Sequence, residues 1–170
     1  MPNKRAPRTE ATPAGHLIEA KLHHVLGYQI AQAAITTAGV FMRIVGEPLG
    51  LRPVEFTVLS LVSENPGSSQ ARLAQALAVT APNITMWIDR LEERGLVQRE
   101  RNEADRRAQQ LNVTPEGRQL VARATQQVLD AERELLAHLS EGERMILVEL
   151  LHKVACSRPA KVVAASERKA

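Results

Sequence analysis

The stretch TAPNITMWIDRLEERGLVQRERNEADRRAQQLNV, residues 80–113, decides how the rest of the chain is read. Ile84, Ile88 and Leu91 recur in it at helical spacing. Thr80 offers a cap and Pro82 an early-turn proline, so the pattern predicts a helix over residues 81–94. Gly95 can take the left-handed conformation that stops this helix. Residues 96–101 (LVQRER) and 107–113 (RAQQLNV) then alternate as strands do, with the polar turn NEADR between them. A helix followed at once by an arginine-tipped hairpin has a shape suited to gripping DNA in two grooves.

The outward side of the predicted helix carries Thr80, Asn83, Thr85, Met86 and, further along, Arg90. Small polar side chains at a helix N-terminus can reach base edges or phosphates, and the terminal N–H groups favour a phosphate. Trp87 can touch DNA or pack, and a large amphipathic ring favours packing. The hairpin carries Arg99, Arg101, Arg106 and Arg107. An arginine at a hairpin tip can enter a minor groove, where the negative potential is strongest. Residues 80–107 nevertheless hold six Arg against six Asp plus Glu. Any grip on DNA must therefore come from the placement of charge, with Glu92, Glu93 and Glu103 turned elsewhere. The alternative is a charged surface hairpin with no partner.

The preceding residues support the first reading. Residues 52–64 form a predicted helix with Pro53 in its first turn and Phe56, Leu59, Leu61 and Val62 on its core face. Asn65-Pro66-Gly67 is a turn. Residues 69–77 form a short helix capped by Ser68 or Ser69, with Leu73 and Leu77 to one side. The helix over 69–77 and the helix from 81, joined by a turn of about three residues, make a helix-turn-helix.

Further out, apolar residues recur at helical spacing from Leu17 to Val45. This predicts one helix over residues 15–47, roughly 30 residues and ~45 Å long, ended by Pro48 and Gly50. Its apolar surface is too wide for one neighbouring helix, so part of it is expected to be buried by another subunit. His24, Tyr28 and Gln32 fall on one face at i, i+4 and i+8, and Arg43 lies near the same stripe. They can line a small-molecule pocket in which Arg43 holds a carboxylate, or form a solvent-facing seam with a partly buried Tyr28. Thr114-Pro115 opens another helix, to about residue 138, with Leu120, Ala124 and Val128 on its apolar side. Ser140-Glu141-Gly142-Glu143 is a capping box before a last helix over residues 141–157, whose apolar residues include Met145, Val148 and Leu151.

Composition narrows the function classes. The chain has 170 residues, 44% hydrophobic, with four aromatics: Tyr28, Phe41, Phe56 and Trp87. A core of Leu, Val, Ile and Ala favours packed helices. The net charge of +3 is mildly favourable for nucleic acid. One cysteine, Cys156, provides no disulfide framework and suits a reducing cytoplasm. No apolar run approaches the roughly 18 residues of a membrane span, and residues 1–15 lack the apolar core of a signal peptide. The absence of a nucleophile–base set and of a phosphate-binding glycine loop argues against an enzyme, and no cofactor is expected. His152 with Cys156, or His23 with His24, can share a metal, but two ligands without a third and fourth are weak evidence.

Three stretches carry a resemblance. APNITMWIDRLEERGLVQRE, DRRAQQLNVTPEGR and LSEGERMILVELLHKV are similar to the reading helix, the wing with the helix start after it, and the closing helix of the MarR family of bacterial winged-helix regulators. The combination of Asp89-Arg90-Leu91, Asp105-x-Arg107 and Thr114-x-x-Gly117 is specific to it, and the resemblance covers about residues 17–154. It implies a mainly α fold with a small β-hairpin wing: a winged helix-turn-helix lobe over residues 48–113, with dimerisation helices over 15–47 and 114–157. Residues 1–14 and 158–170 read as tails. The resemblance further implies a homodimer on a pseudo-palindromic DNA operator. Asp105 would hold the wing arginine, and Arg107 would enter the minor groove. A pocket between the dimer helices and the DNA-binding lobe would take an aromatic acid or similar effector that weakens DNA binding; the alternatives are a DNA-binding regulator that senses no ligand or responds to a protein, and a metal-responsive one. Met86 stands where many members have a basic residue. The first helix has no cysteine, so thiol-peroxide sensing is not implied.

Overall fold

The computed structural model describes residues 11–101 and 109–158. The chain divides into two units, Met1–Gly39 and Val40–Ala170.

The first unit departs from the single long helix that the periodicity predicts. Ala11 and Ile18 form an antiparallel bridge, and Gly15 (φ 75°) and His16 (φ 51°) turn the chain between them. Ala20–His24 is a 3₁₀ turn, Val25 is extended, and the α-helix proper, α1, is Leu26–Phe41. Two causes are visible. Leu17 and Ile18 are 70% and 84% exposed, so no packing holds them to a helical path. The buried Glu19 carboxylate accepts from the Tyr28 hydroxyl (2.9 Å) and pairs with His23 Nδ1 (2.8 Å), which folds the segment back on the start of α1. Periodicity reports which side chains can share a face; it does not report that the backbone between them is continuous.

The second unit holds the core. After α1 the backbone widens into a π-turn, Met42–Gly46, and continues as the short α2, Glu47–Leu49. Pro48 sits inside the first turn of α2, where its missing N–H costs nothing, so it does not terminate the helix. Gly50 does, at φ 59°. Next come α3 (Pro53–Glu64), α4 (Gln70–Leu77) and α5 (Ala81–Glu93). A two-stranded antiparallel hairpin follows, β1 (Val97–Arg101) and β2 (Gln109–Val113), with Val97 opposite Val113 and Arg101 opposite Gln109. Two more helices end the described chain, α6 (Pro115–Leu135) and α7 (Glu141–Cys156).

Local chemistry sets most of these boundaries. The Ser69 and Thr114 hydroxyls accept from Arg72 N and Gly117 N, which caps α4 and α6. Ser140 and Glu143 form the reciprocal capping box of α7, and the Ser140 backbone N–H holds the Glu143 carboxyl below its ordinary range. Val58, Leu59 and Val62 of α3, Ile84, Ile88 and Leu91 of α5, and Val97 and Leu111 of the hairpin close over one another almost without exposure. Each such aliphatic side chain contributes about 1.5–3 kcal/mol by leaving water. Val121 and Ala124 bring α6 into the same core. Gly117 is obligatory there, because a Cβ on it would lie 2.0 Å from the Leu96 carbonyl oxygen.

Candidate nucleic-acid interface

Helix α4 ends at Ala78 in the left-handed conformation (φ 53°), and the Val79 N–H returns to the Ala74 carbonyl at 3.0 Å. Thr80 then becomes the extended N-cap of α5. The resulting corner is the predicted helix-turn-helix. It buries Ile84, Ile88 and Leu91, so the opposite side of α5 must face outward.

That outward side is more differentiated than its sequence suggests. Asn83 is exposed, Met86 is 40% exposed, and the Thr80 hydroxyl makes no capping bond within the helix. Asn83 and Met86 are thus open to a ligand, and Thr80 is half-buried. Thr85 is instead committed within the chain: its hydroxyl donates to the Ala81 carbonyl (2.8 Å) and accepts from Gln70 Nε2 of α4. Arg90 leans inward, with Nη1 3.5 Å from Oε1 of the buried Glu55 on α3. The other oxygen of Glu55 accepts from the Arg52 backbone N–H at 3.0 Å. Trp87 packs half-buried against the core. Ala81, Pro82, Thr85, Met86, Asp89, Arg90 and Glu93 together line a shallow depression.

The balanced charge of this region has a geometric explanation that the sequence did not disclose. Arg99 of β1 pairs with both Asp89 and Glu92 of α5. One strand cation is thereby shared between two helix carboxylates and clamps the hairpin to the helix. Its pair is only 19% exposed on the arginine side, so Arg99 is a structural clamp in this lobe. Glu93 lies at the rim of the depression, whereas the sequence reading turned it away. Asp105, Arg106, Arg107 and Glu103 lie outside the described residues.

The expected effector residues are not on one helical stripe. His24 lies exposed at the end of the 3₁₀ turn, and extended Val25 separates it from α1, so the i, i+4 relation to Tyr28 does not hold. Tyr28 is half-buried and bonded to Glu19; burial first, and that bond second, raise its phenol above the ordinary value. The Glu19 carboxyl is held low, chiefly by His23. Arg43 is exposed within the π-turn of the second unit. At the other end of the chain Cys156 Sγ lies 3.5 Å from His152 Nε2, and among the described residues no three His, Cys, Asp or Glu converge as a metal set. Among them, too, no helix is long and apolar enough to cross a membrane.

A two-helix corner, an outward-facing second helix and a hairpin clamped behind it define a winged helix-turn-helix DNA-binding module. The family model described as MarR family matches residues 49–108. The putative transcriptional regulatory protein for the hcr operon of Thauera aromatica is 33% identical over 138 residues, which span 81% of this chain and 83% of that protein. The transcriptional regulator HosA of Escherichia coli O157:H7 is 31% identical over 100 residues, 59% of this chain and 74% of the relative. The solved structure of the transcriptional repressor CouR, bound to a 23-mer DNA duplex, superposes with a TM-score of 0.75 at 34% identity, covering 82% of this chain and 98% of that one. The chain belongs to the MarR family, and it is a DNA-binding transcriptional regulator.

Proposed function

We propose that the protein is a homodimeric repressor that holds a pseudo-palindromic operator and is released from it by a small ligand. The observation that carries the reading is the outward face of α5, where Asn83 and Met86 are exposed and Thr80 makes no capping bond, while Thr85 is bonded to α4 and Arg90 is paired with Glu55 of α3. In this reading Thr80 and Asn83 meet base edges or phosphates in the major groove, and Met86 contributes an apolar contact. Thr85 and Arg90 set the helix in place. Arg107, with Asp105 and Arg106 beside it, enters the minor groove. The duplex held by the related CouR supports double-stranded DNA as the partner.

The dimer is supported by apolar surface that has no cover among the described residues. On α7, Met145, Ile146, Val148 and Leu150 are between 53% and 69% exposed, and on α1 Leu26 and Ile35 are 58% and 69% exposed. A second copy is the partner that would bury such faces. Two copies would place two reading helices about 34 Å apart, one helical turn of DNA. The effector reading is an aromatic acid or related molecule whose carboxylate is held by Arg43. Such a ligand releases DNA only by its differential affinity for a spacing that does not fit the operator. The protein would act in the cytoplasm.

A footprint on the DNA upstream of the chain's own gene tests the reading. A protected site with two-fold symmetry is expected, with binding that weakens steeply with salt. Arg107→Ala should weaken it with the fold intact. An asymmetric footprint from a monomer sinks the dimer reading. A thermal-shift screen with aromatic acids and their CoA thioesters tests the effector: a hit lost in Arg43→Ala supports it, and regulation that no small molecule alters sinks it.

A further inference from the structure

The last side chain of the reading helix does something neither its sequence nor its exposure announces. Arg94 is the C-cap of α5. Its guanidinium spans back to residues 49 and 50: Nη1 donates to the Gly50 carbonyl at 2.7 Å and Nη2 to the Leu49 carbonyl at 2.9 Å. Both acceptors belong to the end of α2, where backbone carbonyls have no helical partner and a cation is favoured. The rigid planar fork of arginine suits two adjacent acceptors, whereas a lysine offers a single point charge.

The corner it grips is the place where the chain leaves α1. Residues 42–50 contain the π-turn, the short α2 and left-handed Gly50, three departures from a regular helix in succession. Such π-turns often mark functional positions in helices. Val45 and Leu51 pin the corner into the core at 0% and 1% exposure, and the Leu51 N–H returns to the Gly46 carbonyl at 3.1 Å. The Arg94 fork joins this pinned corner to the end of α5.

We propose that Arg94 is a positioning residue that straps the reading helix to the corner beyond α1, so that the spacing of the two reading helices follows that corner. This rests on the dimeric reading given above. The strap is solvent-exposed, so its loss should loosen the lobe more than unfold it.

Two measurements on the full chain test the strap, both comparing wild type with Arg94→Ala and Arg94→Lys. Operator affinity across a salt series should fall roughly two- to tenfold in Arg94→Ala, the worth of one or two exposed hydrogen bonds, with the salt slope unchanged. Arg94→Lys, which keeps the charge but loses the fork, should remain impaired. Spin labels on Gln75→Cys in a Cys156→Ser background should give an intersubunit distance distribution that broadens or shifts in both variants. If Arg94→Ala misfolds, the lysine variant carries the same comparison. A salt slope reduced by about one with the distance unchanged would mean that Arg94 contacts a phosphate, which overturns the strap. Unchanged affinity and distance in a folded variant overturn it equally. A wild-type chain with no intersubunit distance overturns the dimer reading, and the strap's role in spacing with it.

Discussion

Helices α5 and α7 both carry several apolar residues of a mostly aliphatic chain, yet those residues meet opposite fates. In α5, Ile84, Ile88 and Leu91 are wholly buried. In α7 no residue is buried, and Met145 and Val148 are 68% and 69% exposed. Capping cannot explain the difference, because α7 has the more complete cap, a reciprocal Ser140–Glu143 box, while Thr80 makes no side-chain cap bond at all. What differs is the neighbourhood. Helix α5 lies among α3, α4 and the hairpin of its own chain. The cover for α7 must come from outside the described residues. A helix can thus be locally well specified and still lack a tertiary partner among the described residues.

The largest effect that can break this comparison is expected in α7. Val148→Asp combined with Leu151→Asp should leave the melting of the lobe nearly unchanged. It should also weaken dimerisation by about a hundredfold or more, since two buried aliphatic side chains are worth roughly 3–6 kcal/mol. Sedimentation velocity over a concentration series reads this directly, and an unaltered monomer–dimer balance would mean that α7 is not the interface. In α5, Ile88→Ala should cost about 2–5 kcal/mol of stability through the cavity it leaves, measured by urea unfolding, with association lost only as the lobe unfolds. A cost below 1 kcal/mol would show that the α5 core is less tight than its burial indicates.

The smallest effect belongs to the first unit. Glu19 has a folded pKa below its ordinary value of 4.5, so its contribution is present above that value and is lost as pH falls through the lowered one. The protection factors of residues 11–28, with exchange corrected for its intrinsic pH dependence, should therefore fall on acidification below about pH 4.5. Glu19→Gln should be poorly protected already at neutral pH and lose little further. Equal protection of wild type and variant at neutral pH would remove the Glu19–His23–Tyr28 cluster as the cause of the fold there.

Much of the lobe was legible because its signals are local. A Ser or Thr before a helix, a proline in the first turn, a glycine after the last, and a strand period of two each act over a few residues. The boundaries of α3, α4, α5, α6 and α7 accordingly fall within a few residues of where the pattern puts them. The first unit failed for the converse reason. Its apolar spacing is helical, but Glu19 draws His23 and Tyr28 to itself, and exposed Leu17 and Ile18 offer no packing to resist. The candidate interface divided in the same way. Asn83 and Met86 are outward because Ile84 and Ile88 are inward, which spacing alone implies. That Arg90 answers Glu55 and Arg99 answers Asp89 and Glu92 depends on how elements far apart in sequence are brought together.

By itself the sequence determined the family, the order of helices and hairpin, and which face of α5 is free, because all three are written in spacing and caps. Only the tertiary structure decided which polar residues remain available on that face and which are spent. It also decided that Arg94 reaches the carbonyls of Leu49 and Gly50. Hydrogen bonds and ion pairs between distant residues form only after apolar burial has brought their elements together, so they answer to packing before they answer to residue type.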